Sequence, residues 1–187
     1  MKERLVKGTS LVQIVRSIRS HRREHALPAL GDWERDLLRR RISPSTWYSL
    51  KVYESLLQTV HRYVLDGSEA AAEESGKKFA RTQQENAELG FLVPGNPAMT
   101  LSQLGPQWVR HFNFGELTLQ PWPRDDSTSG ASICLSGFPD MSAALGHAIM
   151  GFTEQLVELS GGSNVAAVLE ERPWMHHSVL RFTLTWT

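Results

Sequence analysis

Two histidines and a glutamate near the start of the chain have the spacing of a zinc-enzyme motif. The segment HRREH, residues 21 to 25, fits the pattern H-x-x-E-H. On a helix, His21 and His25 face one side and can share a Zn²⁺ ion, with Glu24 beside them as a general base. Two arginines inside the motif oppose cation binding, and Pro28 ends the helix just beyond it. Of the functions considered, a zinc metalloenzyme is therefore the least favoured. We predict no metal site at these residues.

A second pair of histidines lies in the C-terminal run RPWMHHSVLRFTLTW, residues 172 to 186. The run alternates as a strand does, and adjacent strand residues point to opposite faces. We expect His176 to share the buried face with Trp174 and Phe182, and His177 to lie in solvent or at a subunit contact. Because the two rings diverge, they are not expected to bind one metal ion.

Motifs for hydrolysis and nucleotide binding are incomplete. GASIC, residues 130 to 134, has Cys134 where a nucleophile elbow needs its second glycine. SGKK, residues 75 to 78, resembles the end of a phosphate-binding loop, but Ala71 occupies the place of the first glycine. The sequence predicts no catalytic residue, and we expect a protein that is not an enzyme.

Aromatic residues concentrate at the start of one predicted helix and at the end of another. Rings with a few polar tips are typical of an apolar ligand pocket. The same residue types at helical spacing are also typical of an ordinary core, and both interpretations stay open. The candidate ligand-binding residues are Trp47, Tyr48, Tyr53, Trp108, His111, Phe112 and Phe114.

Charge is distributed unevenly, although the formal net charge is zero. Residues 1 to 41 contain 11 Lys or Arg against 5 Asp or Glu, and the remainder of the chain is correspondingly acidic. This asymmetry indicates an acidic partner, a phosphate-bearing ligand or nucleic acid, or a solvated helix face that pairs with the acidic remainder. The candidate residues for an anionic partner are Arg16, Arg19, Arg22, Arg23, Arg39, Arg40 and Arg41.

The composition is that of an ordinary globular domain. With 187 residues, 41% of them hydrophobic, the chain is long enough for one well-formed core. The single cysteine, Cys134, excludes an internal disulfide and a cysteine-based zinc cluster, so we expect a reducing, cytoplasmic environment. No apolar stretch reaches the length of about 18 residues that a membrane span needs.

Hydrophobic periodicity predicts five helices in the first part of the chain. The first begins near Ser10 and ends before Pro28. The second has Asp32 as its N-cap and turns Trp33 inward, and the third follows Ser43-Pro44 and runs to about Leu65. The fourth lies within residues 66 to 90 and closes on Gly90, and the fifth extends from Leu101 to Phe112.

After residue 114 the period changes to that of strands. Residues 115 to 120 and 131 to 137 form a predicted hairpin, and a helix capped by Asp140 follows. Two further strands are predicted at residues 164 to 171 and 175 to 186. We therefore predict one α+β domain over residues 1 to 187. Its helical part lies at about 9 to 112, and its β-β-α-β-β antiparallel sheet, at about 115 to 186, is covered by helices on one side.

The order of these segments resembles that of a known group of proteins. The segments are RRRISPSTWYSLKVYESLLQTV, then WVRHFNFGELTL, LSGFP and a final FTLTW. Together they resemble a myxobacterial paralogous family of unknown function, itself similar to four-vinyl-reductase and haem-NO-binding-like domains and to TRAPP subunits. The resemblance covers nearly the whole chain. It implies a dimer-forming α+β module that holds a small apolar ligand or a partner protein, and it implies no reaction.

The sequence also departs from these relatives. Four-vinyl-reductase relatives carry cysteines near the last strands, where this chain has none. Haem-binding relatives carry a Tyr-x-Ser-x-Arg signature, and the closest segment here, YSLKVY, lacks both the Ser and the Arg. We therefore predict neither a metal nor a haem cofactor.

The function predicted from the sequence is non-enzymatic. We expect a homodimeric module of bacterial signalling that binds a small apolar ligand, a lipid or a partner protein. The alternative is a nucleic-acid-binding or regulator-associated protein that uses the basic N-terminal segment.

Overall fold

The chain folds as a run of helices followed by an antiparallel sheet. The computed structural model describes residues 3–21, 30–122, 128–138 and 140–187. The first part contains β1 (Leu5–Lys7), α1 (Gly8–His21), α2 (Asp32–Arg39), β2 (Trp47–Ser49), α3 (Leu50–Tyr63), α4 (Glu69–Glu85), α5 (Pro97–Ser102) and α6 (Leu104–His111). The second contains β3 (Glu116–Pro121), β4 (Ser129–Ser136), α7 (Ala143–Leu159), β5 (Ala166–Glu171) and β6 (Leu180–Trp186). This order confirms the predicted α+β class.

The C-terminal sheet has the strand order β3-β4-β6-β5, and every neighbouring pair is antiparallel. Ile133 on β4 lies opposite Phe182 on β6, and both side chains are fully buried. Helices α5, α6 and α7 pack against this sheet. The predicted hairpin and the predicted covering by helices are thereby confirmed, and apolar residues give the central strands β4 and β6 a buried face.

A two-stranded sheet in the helical part corrects the predicted start of the third helix. Strands β1 and β2 pair antiparallel, with Val6 opposite Tyr48. The backbone N–H of Gly8 donates to the carbonyl oxygen of Thr46 at 2.8 Å, which ties this segment to the start of α1. The prediction that a helix follows Ser43-Pro44 directly is therefore wrong, and α3 begins at Leu50.

Helices α4 and α7 approach each other at backbone contact distance. A Cβ atom built at Gly76 would lie 2.0 Å from the carbonyl oxygen of Ala148, and one at Gly151 would lie 2.1 Å from that of Glu73. Beside this crossing, the Lys77 ammonium lies 2.9 Å from Glu154 and 3.2 Å from Glu73. The two glycines thus set the distance between the helices, and the charged groups line the seam.

Several predicted helix ends are displaced. Asp32 is the first residue of α2, whose N-cap is Gly31, and Trp33 is 53% exposed instead of buried. The cap of α7 is Ser142, whose hydroxyl accepts a hydrogen bond from the Leu145 N–H at 3.3 Å, so Asp140 is not the cap. The single helix predicted over residues 101 to 112 is two helices, α5 and α6, that meet at Gln103.

The segment before β6 contradicts the predicted arrangement of the histidines. Pro173–Met175 forms a 3₁₀ turn, and His176 has a left-handed backbone with φ of 70°. His176 is exposed, so the prediction that it shares the buried face with Phe182 is wrong. His177 is exposed as expected, and its Nδ1 accepts a hydrogen bond from the Arg172 N–H at 3.0 Å.

The buried side chains of both parts belong to one hydrophobic cluster, which runs from Val6 and Leu11 to Leu184 and Trp186. The assignment of all 187 residues to one domain stays a prediction. Among the residues described, no helix combines the length and the apolar character needed to cross a membrane.

Candidate functional site

Five of the aromatic residues near the end of α6 form a packed cluster, called the aromatic cluster below. Phe112 stacks on Trp108, with ring centroids 4.0 Å apart. Tyr53 and Phe114 meet Phe112 edge-on at 6.1 and 5.8 Å, and Phe138 meets Phe114 at 5.0 Å. The indole Nε1 of Trp108 donates to the Phe114 carbonyl oxygen at 2.9 Å. The rings thus pack against one another, and the indole N–H of Trp108 has a hydrogen-bond partner within the cluster.

Burial also governs the chemistry of the one phenol in this cluster. Tyr53 is only 7% exposed. Burial, followed by the charge of the neighbouring Glu54, raises the pKa of the Tyr53 hydroxyl well above its ordinary value. Tyr53 therefore stays neutral at physiological pH and contributes its ring to the packing.

The other two predicted aromatic residues, Trp47 and Tyr48, lie on β2 outside this set of ring contacts. Trp47 is 38% exposed, and the Lys7 ammonium lies 4.5 Å from its ring centroid. The Tyr48 hydroxyl accepts a hydrogen bond from the Ser43 N–H at 3.2 Å. The structure therefore places four of the seven predicted residues in the packed cluster and two, Trp47 and Tyr48, at the rim of the small β1–β2 sheet; the seventh, His111, contacts the start of α1. Whether they bind a ligand stays a prediction.

His111 fastens the end of α6 to the start of α1. Its Nδ1 lies 3.1 Å from the Thr9 hydroxyl and 3.3 Å from the Ser10 hydroxyl. Burial lowers the pKa of His111, and the charges of Arg110 and Lys7 lower it further. His111 is thus neutral at pH 7 and serves as a hydrogen-bonding group.

Asn113 makes a second attachment two residues further on. Its Oδ1 accepts from the Leu5 N–H at 2.7 Å, and its Nδ2 donates to the Glu3 carbonyl oxygen at 3.0 Å. The sequence interpretation did not single out Asn113, since an isolated asparagine after a helix carries no distinguishing pattern. His111 and Asn113 together, with their partners on the N-terminal segment, are called the latch below.

An open groove of about 510 Å³ lies along the outer side of α6. One wall is the turn after α4, and the other is a row of side chains at the start and along the face of α6. Its lining residues are Ala87, Glu88, Gly90, Phe91, Gln103, Gln107 and Arg110. We call it the α6 groove. It is open to solvent, and most of its exposed lining is polar.

None of the residues that line the α6 groove was predicted as a site residue. Gln103, Gln107 and Arg110 are spaced by four and three, which places them on one face of α6. Leu104 and Trp108 follow each glutamine by one position and are buried. The helical spacing was visible in the sequence, but the turn that faces it was not.

The predicted anion-binding arginines have different environments. Arg19 donates from Nε and Nη2 to the Leu38 carbonyl oxygen, at 2.8 and 2.5 Å, and closes the end of α2. Arg40 pairs with Asp36 at 2.6 Å. Arg16, Arg39 and Arg41 are exposed, whereas Arg22 and Arg23 lie outside the described residues. At least Arg19 therefore has a structural role, and anion binding stays a prediction.

The zinc hypothesis cannot be placed on the fold, because Glu24 and His25 lie outside the described residues. Within the described ranges, no group of three or more His, Cys, Asp or Glu is arranged to hold a metal ion. Cys134, half-buried on β4, is a free thiol.

Comparison with known proteins identifies the fold. Neither models of protein families nor the sequences of curated proteins match this chain. Solved structures of H-NOX proteins do match it. An Fe(II) unliganded H-NOX protein from K. algicida is 11% identical with a TM-score of 0.65, over 97% of this chain and 96% of that one.

Two further structures show the same likeness. An oxygen-binding H-NOX domain related to soluble guanylate cyclases is 11% identical, with a TM-score of 0.62 over 97% of this chain and 94% of that chain. A structure concerned with haem redox potential and porphyrin distortion is also 11% identical, with a TM-score of 0.61 over 97% and 99% of the two chains. The chain thus has an H-NOX-like fold. This confirms the resemblance to haem-NO-binding-like domains at the level of fold, whereas the four-vinyl-reductase, TRAPP and myxobacterial relations stay predictions.

In the described part of the chain, neither the aromatic cluster nor the α6 groove fits the haem that such a fold implies. A haem needs a flat space and an axial ligand such as His, Cys, Met or Tyr. The rings of the aromatic cluster contact one another, and the Nδ1 of His111 is held by two hydroxyl groups. The α6 groove is lined by Ala, Glu, Gly, Phe, Gln and Arg, none of which is among those axial ligands.

Proposed function

We propose that the protein is a non-enzymatic ligand-binding module of signalling type that binds its ligand in the α6 groove. The observation that carries this proposal is the position of α6 between two sets of contacts. Gln107 and Arg110 face the groove, while Trp108 is buried in the aromatic cluster. A ligand that binds the outer face therefore contacts the same helix that packs against the core.

The latch gives such a ligand a way to act at a distance. His111 and Asn113 follow Arg110 by one and three positions, and they hold the start of α1 and β1. A ligand that prefers one position of α6 shifts the population of conformations toward that position. The N-terminal segment then moves with α6 or separates from it, and no reaction is needed.

The chemistry of the groove favours a polar ligand over the apolar one expected from the sequence. Four of the groove's seven residues carry amide or charged groups. The apolar rings that suggested a hydrophobic ligand are mostly occupied with one another. One H-NOX neighbour binds oxygen and is related to soluble guanylate cyclases, which supports a sensing role without indicating the same ligand.

We further propose that the module acts as a homodimer, as the family resemblance implies, and that it lies in the bacterial cytoplasm, the reducing compartment expected from its single cysteine. The edge strand β5, which is paired on one side only by β6, supports this proposal. Its Val168 side chain is 63% exposed, and an apolar edge of this kind favours pairing with another strand. Sedimentation equilibrium should give twice the monomer mass, and a monomer at all accessible concentrations would refute the dimer.

Native mass spectrometry of protein purified from its expression host tests the ligand-binding function. We expect an added small-molecule mass that disappears on denaturation. In Gly90→Leu the mass should be lost, because Gly90 lines the groove and has no atom within 4 Å of an added Cβ, so a larger side chain fills the groove without strain. Ala70→Leu, at the exposed start of α4 and away from both the groove and β5, is the matched control and should retain the mass. A wild-type protein without any added mass would contradict the proposal and favour a protein-interaction role.

A further inference from the structure

We propose that the α6 groove selects a small zwitterion, a molecule with one ammonium and one carboxylate group, such as a free amino acid. This inference rests on the proposed ligand-binding function and specifies the chemistry of the ligand. It is drawn from the two charged residues of the groove, which come from different walls: Glu88 from the turn after α4, and Arg110 from the last turn of α6.

These two charges do not neutralise each other. In the part of the chain that the structure describes, neither Glu88 nor Arg110 is within ion-pair distance of an oppositely charged group. Both side chains are exposed at the groove. Two opposite charges on separate walls are complementary to a ligand that carries one of each, and they disfavour a ligand with a single charge, because the other charged residue is then left without a partner.

The amide groups between them suit the same ligand. Gln107 Oε1 accepts a long hydrogen bond from Arg110 Nη1 at 3.5 Å, so the amide nitrogen of Gln107 is available as a donor beside the guanidinium. Gln103 Nε2 makes only a long contact of 3.4 Å, with the Ser102 hydroxyl. A carboxylate placed at Arg110 can therefore accept from the guanidinium and from the neighbouring amide.

The ring of Phe91 supplies the remaining apolar part of the lining, together with Ala87 and Gly90. Phe91 is half-buried and lines the groove. An amino acid with an apolar side chain would place its charged end toward Glu88 and Arg110 and its side chain on Phe91.

Three probes of one skeleton test this inference: L-phenylalanine, 3-phenylpropanoate, which lacks the ammonium, and 2-phenylethylamine, which lacks the carboxylate. Each is titrated into the full chain, and the NMR signal of the Trp108 indole N–H, identified with Trp108→Phe, reports binding. We expect L-phenylalanine to bind about tenfold to a hundredfold more tightly than either of the other two probes. This is the range expected for one charge-assisted hydrogen bond. Arg110→Met should abolish the advantage over 2-phenylethylamine, and Glu88→Gln the advantage over 3-phenylpropanoate.

The outcomes separate this inference from the proposed function. Equal binding of L-phenylalanine and 3-phenylpropanoate, unchanged in Glu88→Gln, would overturn the zwitterion inference and leave a ligand site for anions. No binding of any probe, with an added mass in native spectra that Gly90→Leu removes, would overturn the inference and keep the proposed function. No binding of any probe and no added mass would overturn both.

Discussion

Replacing Gly76 by alanine is the sharpest test of the fold. Gly76 lies in the middle of α4, where an added Cβ would be 2.0 Å from the carbonyl oxygen of Ala148, 2.8 Å from its carbonyl carbon and 2.9 Å from the N atom of Phe152. All three atoms belong to the backbone of α7, so no side chain can turn away to make room. The two helices must separate by roughly 1.5–2 Å to reach an ordinary contact distance.

Two opposing effects determine the size of the change. Alanine favours the helical state over glycine by up to about 1 kcal/mol in a helix interior. Overpacking in a close-packed interior costs about 1–3 kcal/mol, occasionally more. Because the clash is with backbone and is deep, we expect a cost at the upper end of that range, and a net loss of about 2 kcal/mol in the free energy of unfolding. For a chain of this size that corresponds to a fall in Tm of about 4–8 °C.

Urea unfolding followed by circular dichroism measures this loss, and Gly90→Ala is the matched control. Gly90 has no atom within 4 Å of an added Cβ and lies outside the helices. That variant should unfold within about 1 kcal/mol of the wild type, with any change toward greater stability. If Gly76→Ala were as stable as Gly90→Ala, the close crossing of α4 and α7 would be refuted.

Three further predictions concern the latch, the cofactor and the core. His111 has a lowered pKa in the folded state, so the unfolded chain takes up its proton first as the pH falls below about 6.5. Wild type should therefore lose stability relative to His111→Asn between pH 7.5 and 5.5 in urea unfolding, and parallel profiles would contradict the assignment. Hemin added to the protein should keep the broad Soret absorption of free hemin; a shifted, sharpened band that His61→Ala removes would refute this, because the Nε2 of His61 is buried without a hydrogen bond. Phe182→Ala should cost about 3–5 kcal/mol in the same unfolding assay, whereas His177→Ala should cost under about 0.5 kcal/mol, and similar losses would refute the burial assigned to β6.

The elements with a clear period were predictable from the sequence. Residues alternate in β3 and β4, and their hairpin was expected from the turn-rich segment between them. Helix α7 was expected from an apolar stripe that includes Leu145, Ile149 and Leu156. In these segments the local pattern and the tertiary structure require the same residues to be buried, so local reasoning is sufficient.

The β1–β2 sheet shows where local reasoning fails. Each strand has three residues, and the paired residues Val6 and Tyr48 are 42 positions apart in the chain. Three residues are too few to establish an alternation, and Ser43-Pro44 is a strong signal for a helix start. What decides the structure is the set of hydrogen bonds from the start of α1 to residues 44 and 46, which no local pattern contains.

The histidine prediction failed for a related reason. The expected faces assumed an uninterrupted strand from Trp174 to Trp186, but Pro173 begins a 3₁₀ turn. The ring of Trp174 lies against α7 at Gly146, where an added Cβ would be 2.3 Å from it. This anchor fixes the turn and leaves His176 outside the sheet. The predicted alternation of buried and exposed residues is correct within β6 and wrong in the segment before it. Only the contact of Trp174 with α7, which is distant in the chain, distinguishes the strand from the turn.

For the candidate site, too, local patterns predicted which residues lie together, but not how distant segments pack around them. The sequence placed Trp108, His111 and Phe112 together at the end of a helix, which the structure confirms, but it could not tell a pocket from a core. In the structure Trp108 and Phe112 stack on each other, and His111 is bonded to α1. The groups that remain available to bind a ligand lie on the adjacent, polar face of the same helix. There, within the described chain, Gln107 and Arg110 make only a long hydrogen bond to each other. A helix whose aromatic face is satisfied by the core and whose polar face opens onto a groove is suited to report a bound ligand, because any shift of one face must displace the other.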